Sequence, residues 1–159
     1  MATDTPALLE RLLDAQVEFI VIGGTAALAH GAATPTVDLD IAAPMNEANL
    51  TRLMSALESL HPKHATRPDL GVIWQSPAEL SRFRMLLIDT DIGRLDVLGR
   101  VEPLGSFEEL ESVGVELLPD RKVDVLSLDQ LIAVKASLRR PKDKLVEAEL
   151  RALREQLGD

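Results

Sequence analysis

Two aspartates alternate with apolar residues in the segment VDLDI at positions 37–41. In a β-strand, residues two apart point to the same face, so Asp38 and Asp40 project together, roughly 7 Å apart along the backbone. The apolar Leu39 points the other way. Two like charges on one face are costly unless a cation lies between them, and a hard divalent cation is suited to such oxygen ligands. The pattern therefore predicts a metal site.

A third carboxylate of the same kind occurs in RLDVL at positions 94–98, where Asp96 is flanked by apolar residues. Two Mg²⁺ ions about 3.5–4 Å apart can hold the attacking and leaving oxygens of a phosphoryl transfer. Asp89 and Asp91 are weaker candidates because they fall in a predicted turn, where aspartate is common. Alone, an Asp-x-Asp pattern is more often a pair of exposed acids on an edge strand.

Gly23, Gly24 and Thr25 follow an apolar run and precede a segment of small residues that predicts a helix. A helix N-terminus offers free N–H groups and partial positive charge, which suit phosphate, and glycine lets a ligand approach the backbone. The alternative is a tight turn between strand and helix without a ligand. The segment is neither a Walker A loop nor a Rossmann fingerprint, because the lysine of the first and the third glycine of the second are absent.

Hydrophobic periodicity and capping residues predict the elements that position these groups. Thr5 is predicted to cap the first helix, and capping boxes are predicted to begin at Ser76, Ser106 and Ser127. Strands are predicted at 17–22, 37–43 and 71–74 and in two hairpins, 82–88 with 94–98 and 113–118 with 122–125. Helices are predicted at 25–30, at 46–60, from 128 to about 138, and from 141 to about 157. This order predicts an α/β or α+β fold with a mixed sheet.

Composition limits the classes of function. With 159 residues the chain is expected to form one domain, with a core at about 1–126 and C-terminal helices at about 127–159. The formal net charge of −9 argues against a general nucleic-acid coat protein. The absence of cysteine excludes disulfides and thiolate zinc sites and suits a cytoplasmic protein. The N-terminus does not resemble a signal peptide and the apolar runs are short, so no membrane association is expected.

Taken together, Gly23-Gly24-Thr25 and Asp38-Leu39-Asp40 resemble the signature of nucleotidyltransferases of the DNA polymerase β superfamily. The stretch from Ile22 to Ile41 is similar, more narrowly, to small bacterial nucleotidyltransferases of abortive-infection and toxin–antitoxin systems. Lys135 and the run Arg140-Pro141-Lys142-Asp143 are similar to the K-x4-R-P-K-D motif of that group.

The resemblance implies a nucleotidyltransferase-like mixed, twisted sheet flanked by helices, with a C-terminal helical pair closing the site. It implies a role for each matching residue. The implied triphosphate ligands are Gly23, Gly24, Thr25, Lys135, Arg140 and Lys142. The implied catalytic residues and Mg²⁺ ligands are Asp38, Asp40 and Asp96, of which Asp96 also helps to deprotonate the acceptor. Asp143 is expected to orient Lys135 or Lys142 by a salt bridge.

The implied reaction is Mg²⁺-dependent transfer of a nucleoside monophosphate from a nucleoside triphosphate to an acceptor hydroxyl, with release of pyrophosphate. The expected acceptor is an RNA, tRNA included, or a protein, and the expected role is that of a toxin with a cognate antitoxin. Thr34 occupies a position where this group often has arginine, which weakens the expectation of full activity. The alternatives are a nucleotide-binding regulatory module with little or no turnover and, ranked lower, an enzyme acting on a small molecule such as an aminoglycoside.

Overall fold

The computed structural model describes residues 2–33 and 38–158, so the predictions for Thr34 and Val37 lie outside the described residues. The α-helices are α1 (Thr5–Asp14), α2 (Gly23–Ala29), α3 (Glu47–Leu57), α4 (Pro77–Leu80), α5 (Leu128–Ser137) and α6 (Pro141–Leu157). The strands are β1 (Ile20–Ile22), β2 (Leu39–Ala42), β3 (Lys63–His64), β4 (Met85–Thr90), β5 (Gly93–Leu98), β6 (Arg100–Val101), β7 (Gly105–Ser106), β8 (Ser112–Leu118) and β9 (Arg121–Leu126). Short 3₁₀ turns occur at Glu58–Leu60, Pro68–Leu70 and Phe107–Glu109.

Seven strands form one sheet in the order β3-β4-β5-β2-β1-β9-β8, and β6 pairs with β7 in a separate ribbon. The β1–β9 and β2–β5 pairs are parallel, whereas the β1–β2, β3–β4, β4–β5 and β8–β9 pairs are antiparallel. The two predicted hairpins are present as β4–β5 and β8–β9. The prediction of an α/β fold with a mixed sheet flanked by helices is therefore confirmed.

The central strands divide the sheet into an apolar face and a polar face. Along β5, Leu95 and Val97 are fully buried, while Arg94 and Asp96 on the alternate positions are partly exposed. Around the sheet, α1 packs on α3, α5 packs on α6, and α2 contacts β1, β2 and α5. Within the described ranges no helix is both long enough and apolar enough to cross a membrane.

The first strand is shorter than the predicted segment 17–22, and the buried side chain of Asn49 in α3 explains why. Its amide oxygen accepts from the backbone N–H of Glu18 at 2.8 Å, and its amide nitrogen donates to the Glu18 carbonyl at 3.0 Å and to the Pro44 carbonyl at 3.1 Å. An asparagine therefore satisfies backbone groups that a neighbouring strand would otherwise pair.

Two predicted helix starts are shifted. The cap of α1 is Asp4, whose side chain accepts from the Ala7 N–H at 3.1 Å, and Thr5 is already helical. Glycines 23 and 24, predicted as a turn before the helix, are its first two residues. In both places the N-cap is an earlier residue than predicted, Asp4 for α1 and Ile22 for α2. A helix begins where the backbone takes up helical dihedral angles, and residue type alone does not fix that position.

Three further predictions needed correction in detail. Residues 71–74 do not form a strand, and only Val72 makes an isolated bridge to Lys63. Asp89 lies in β4 and not in the turn. The capping boxes at Ser76 and Ser106 are confirmed, whereas at the third one the Gln130 side chain accepts from the Glu111 N–H instead of closing the box.

Substitution of Asn49 by alanine is expected to lower the free energy of unfolding by about 2–3 kcal/mol, because it removes three hydrogen bonds to partly buried backbone groups of Glu18 and Pro44. The matched control is Asn46→Ala, which removes only the helix cap made by the Asn46 side chain to the Asn49 N–H and should cost about 1 kcal/mol. Urea unfolding measures both. Equal losses in the two variants would contradict the role assigned to Asn49.

Candidate active site

Three carboxylates, here called the acid cluster, meet on the polar face of the sheet: Asp38, Asp40 and Asp96. Parallel pairing of β2 with β5 sets Asp40 directly beside Asp96, and the two side chains share a hydrogen bond. Asp38 precedes β2 and lies close enough to influence the charge of Asp40. Leu39 and Ile41 are fully buried on the opposite face. The structure therefore places Asp40 beside Asp96, with Asp38 near Asp40.

Gly23 is the residue that makes room for the acid cluster. Its φ of +65° lies in the left-handed region, which glycine adopts without steric cost. A Cβ added at Gly23 would lie 3.2 Å from Cγ of Asp40 and would overlap its Oδ2. The glycine predicted to approach a phosphate thus accommodates a carboxylate at the start of α2, and any larger residue would push Asp40 out of place.

Burial, followed by the charges of Asp96 and Asp38, raises the pKa of Asp40 to about 6. The nearby ammonium of Lys135 acts in the opposite direction and is the smallest of these influences. The carboxylates of Asp96 and Asp38 lie close enough to Asp40 to oppose its ionisation. The acid cluster therefore holds excess negative charge.

Arg94 is a functional candidate that the motif analysis missed. Its Nε donates to Oδ1 of Asp96 at 2.8 Å, and the two side chains are 35% and 18% exposed. The signal was present in the sequence, since Arg94 and Asp96 are two residues apart in a strand and must share a face.

Lys135 reaches the site from α5 and is held there by α6. Its Nζ donates to Asp143 at 3.1 Å, and Arg140 Nε donates to the same carboxylate at 2.7 Å. Burial alone would raise the pKa of Asp143, but hydrogen bonds from Arg140 and Lys135 outweigh it and hold the pKa below its usual value. The expected salt bridge is therefore made by Lys135, while Lys142 is exposed on the first turn of α6.

A cavity of about 410 Å³ is lined by one member of the acid cluster, Asp40, and by Gly23, Lys135, Arg100 and Glu102. Gly23, Asp40 and Lys135 line one part of it, and the rest is mainly apolar, with Met85, Leu98, Val101, Leu126, Leu131 and Val134. Arg140 and Lys142, both predicted to bind phosphates, are not among its lining residues. A larger cavity of about 770 Å³ opens near the other end of β1 and contains no member of the acid cluster. The smaller cavity is therefore the candidate active site.

Thr25 in α2 and His30 at its C-terminal end are polar residues that do not line the cavity. Thr25 is buried, and its hydroxyl is the one buried side-chain group of the described residues without a hydrogen-bond partner. Such a group costs free energy unless a ligand satisfies it. His30 Nε2, by contrast, is engaged with the Leu126 carbonyl at 2.8 Å. The Thr25 hydroxyl is therefore buried without a partner at the start of α2, while the histidine joins α2 to the end of β9.

The donors of the acid cluster fit a hard divalent cation, because all three are carboxylates with a surplus of negative charge. Over residues 2–33 and 38–158, however, no group of three or more metal-binding side chains is arranged to hold a metal ion. In this arrangement Asp96 is hydrogen-bonded to Asp40 and to Arg94. The chemistry of the donors fits a metal ion, but their described arrangement does not form a metal site.

The raised pKa of Asp40 predicts a pH-dependent stability of the metal-free protein. The folded state favours the protonated carboxyl, so this contribution to stability is full below pH 3.8, the ordinary pKa, and is lost as the pH rises through about 6. The stability of the wild type relative to Asp40→Asn should therefore fall between pH 4 and pH 7.5.

Urea unfolding in the presence of EDTA measures this difference. Asp124→Asn, which removes an exposed carboxylate from β9, serves as the control and should give a difference that varies less with pH. A constant difference between the wild type and Asp40→Asn across this range would contradict the raised pKa.

No protein-family model and no curated protein matches the sequence. Solved structures do match. The lincomycin-bound lincosamide antibiotic adenylyltransferase LnuA superposes with a TM-score of 0.64 at 14% identity, over 96% of this chain and 98% of that chain. The putative nucleotidyltransferase TM1012 from Thermotoga maritima superposes with a TM-score of 0.53 at 18% identity, over 94% of this chain and 88% of that chain. The antibiotic-resistance factor ANT(2'')-Ia superposes with a TM-score of 0.52 at 17% identity, over 99% of this chain and 96% of that chain. The chain has a nucleotidyltransferase fold.

Proposed function

We propose that the protein is a Mg²⁺-dependent nucleotidyltransferase that moves a nucleoside monophosphate from a nucleoside triphosphate to an acceptor hydroxyl. The observation that supports this most directly is the register of Asp40 beside Asp96 on parallel strands, next to the left-handed Gly23. The match to nucleotidyltransferase structures along almost the whole chain agrees with it.

Asp38, Asp40 and Asp96 would hold the divalent ions, which supply charge stabilisation for the transferring phosphoryl group. Lys135, fixed by its bond to Asp143, places a positive charge at the cavity wall, where a triphosphate would lie. Gly23, Gly24 and Thr25 would contact the triphosphate at the start of α2, where the buried Thr25 hydroxyl has no other partner among the described residues. Arg140 and Lys142, the two remaining proposed phosphate ligands, would contact the triphosphate from the exposed start of α6.

The acceptor hydroxyl would belong either to a macromolecule or to a small molecule. RNA, tRNA included, or a protein hydroxyl would suit a toxin with an antitoxin partner, as the sequence resemblance implies. The mainly apolar lining of the 410 Å³ cavity favours a small molecule instead. LnuA was solved with the antibiotic lincomycin bound, and it matches this chain over nearly all of its length, so a short chain is compatible with an acceptor of that size.

The test is transfer of label from each α-³²P-labelled triphosphate, with Mg²⁺, to total RNA, to lysate proteins and to a panel of small hydroxyl compounds. Label transfer with pyrophosphate release is expected to one class, and Asp40→Asn should reduce it at least about 100-fold. Asp124→Asn, at an exposed position outside the cavity, is the control and should retain activity.

A nucleotide-binding module without turnover is the second candidate. The observation that favours it is that the described side chains of the acid cluster are tied to one another and to Arg94 and are not arranged around a metal. Triphosphate binding by calorimetry without label transfer would select this candidate, and the absence of both binding and transfer would contradict the two proposals together.

Thr25→Val is expected to separate stability from binding. Replacing an unpartnered buried hydroxyl with a methyl group should leave the free energy of unfolding unchanged or raise it, while weakening triphosphate binding about 5–10-fold through loss of one hydrogen bond. Calorimetry and urea unfolding measure the two effects.

The matched control is Thr90→Val. The buried Thr90 hydroxyl donates to the Gly93 carbonyl at 2.7 Å and accepts from the Ile92 N–H at 3.2 Å, so its loss should lower stability by about 1–2 kcal/mol. A destabilised Thr25→Val variant with normal triphosphate affinity would show that the hydroxyl has a structural partner and no ligand.

A further inference from the structure

Arg94 is a cation bonded directly to the acid cluster. Its guanidinium Nε lies 2.8 Å from Oδ1 of Asp96, in a pair that is only partly exposed. Charge-assisted hydrogen bonds of this kind are about twice as strong as neutral ones. Asp96 therefore already has a positively charged partner when no metal ion is present.

We propose that Arg94 is the built-in counter-ion of the acid cluster in the metal-free protein, and that a divalent cation must displace its guanidinium from Asp96 in order to bind. The inference rests on the proposed function in one respect, because the competing ion is the Mg²⁺ that the reaction would use. It concerns how that ion gains access to Asp96.

The charges at the site support a competition. Asp40 and Asp96 lie side by side with Asp38 near Asp40, and positive charge reaches them from Lys135 and Arg94. Lys135 is already bonded to Asp143. Arg94 donates its hydrogen bond to Asp96, a member of the acid cluster. The guanidinium and an incoming metal ion would therefore compete for the same carboxylate.

The neighbouring strand provides a second place for the guanidinium. Arg94 lies directly opposite Asp89 in the antiparallel β4–β5 pair, and the exposed Asp89 carboxylate attracts it. Directly opposed side chains in an antiparallel pair have Cβ atoms about 4.5–5.5 Å apart. When a metal ion binds Asp96, Asp89 offers the arginine a second anionic partner on the same face of the sheet.

The chain contains a matched control for an ordinary ion pair. Arg67 and Asp69 have the same spacing of two residues and a comparable distance of 2.9 Å, but both are more than half exposed, and neither is a member of the acid cluster. Removing Arg67 therefore tests what the loss of an arginine–aspartate pair does by itself, without a change at the candidate metal ligands.

The experiment measures Mn²⁺ binding to the full chain without nucleotide, by the electron paramagnetic resonance signal of free Mn²⁺. Arg94→Gln is expected to bind Mn²⁺ about tenfold more tightly than the wild type, since removal of one positive charge at close range favours the ion. Arg94→Lys, which keeps the charge, should lie close to the wild type, and Arg67→Gln should match it. Urea unfolding verifies that every variant is folded.

Equal or weaker Mn²⁺ binding by Arg94→Gln, with binding by the wild type intact, would overturn the inference while leaving the proposed reaction in place. Equal tightening in Arg94→Lys would also overturn it, because the effect would then not depend on charge. Failure of the wild type and of Arg94→Gln to bind Mn²⁺ at millimolar concentration would reject the metal requirement of the proposed function and the inference with it. Label transfer is not needed to distinguish these outcomes.

Discussion

Repulsion among the three carboxylates of the acid cluster is the constraint around which the polar face of the sheet is organised. Each neighbouring feature reduces that repulsion or makes room for it. Gly23 has no side chain where Asp40 needs space, and Lys135 and Arg94 bring positive charge from α5 and from β5 itself. Protonation of Asp40, whose pKa is raised to about 6, removes one charge at mildly acidic pH. These groups make an otherwise unfavourable concentration of acids compatible with a folded domain.

The backbone that supports the acids depends on apolar packing on the other face. Leu39 and Ile41 of β2 and Leu95 and Val97 of β5 are completely buried, and burial of each such side chain contributes about 1.5–3 kcal/mol. That anchoring fixes the register of the two strands, since a slip by one residue would move the acids into the core. The position of the chemistry is thus determined by leucine, isoleucine and valine as much as by aspartate.

Sequence reasoning recovered the parts of the structure that depend on local periodicity. Alternation identified the strands of Asp40 and Asp96, and the capping boxes at Ser76 and Ser106 followed from side chains three residues apart. It failed where a distant side chain decides. The strand before Gly23 begins late because Asn49, in a later helix, binds Glu18, and the third capping box is open because Gln130 binds Glu111. The pairing of Arg94 with Asp96 was predictable in principle, because both lie on one strand face, but no motif includes it.

The parallel pairing of β1 with β9 has a consequence for how the domain is made. Val21 near the start of the chain pairs with Val125 near its end, and such distant pairing slows folding because a long loop must be closed first. During synthesis the edge of β1 stays uncovered until the ribosome has delivered β9, and α5 with Lys135 emerges later still. The nascent chain therefore carries Asp38, Asp40 and Asp96 before it carries Lys135, the lysine that lowers the pKa of Asp40 in the folded domain.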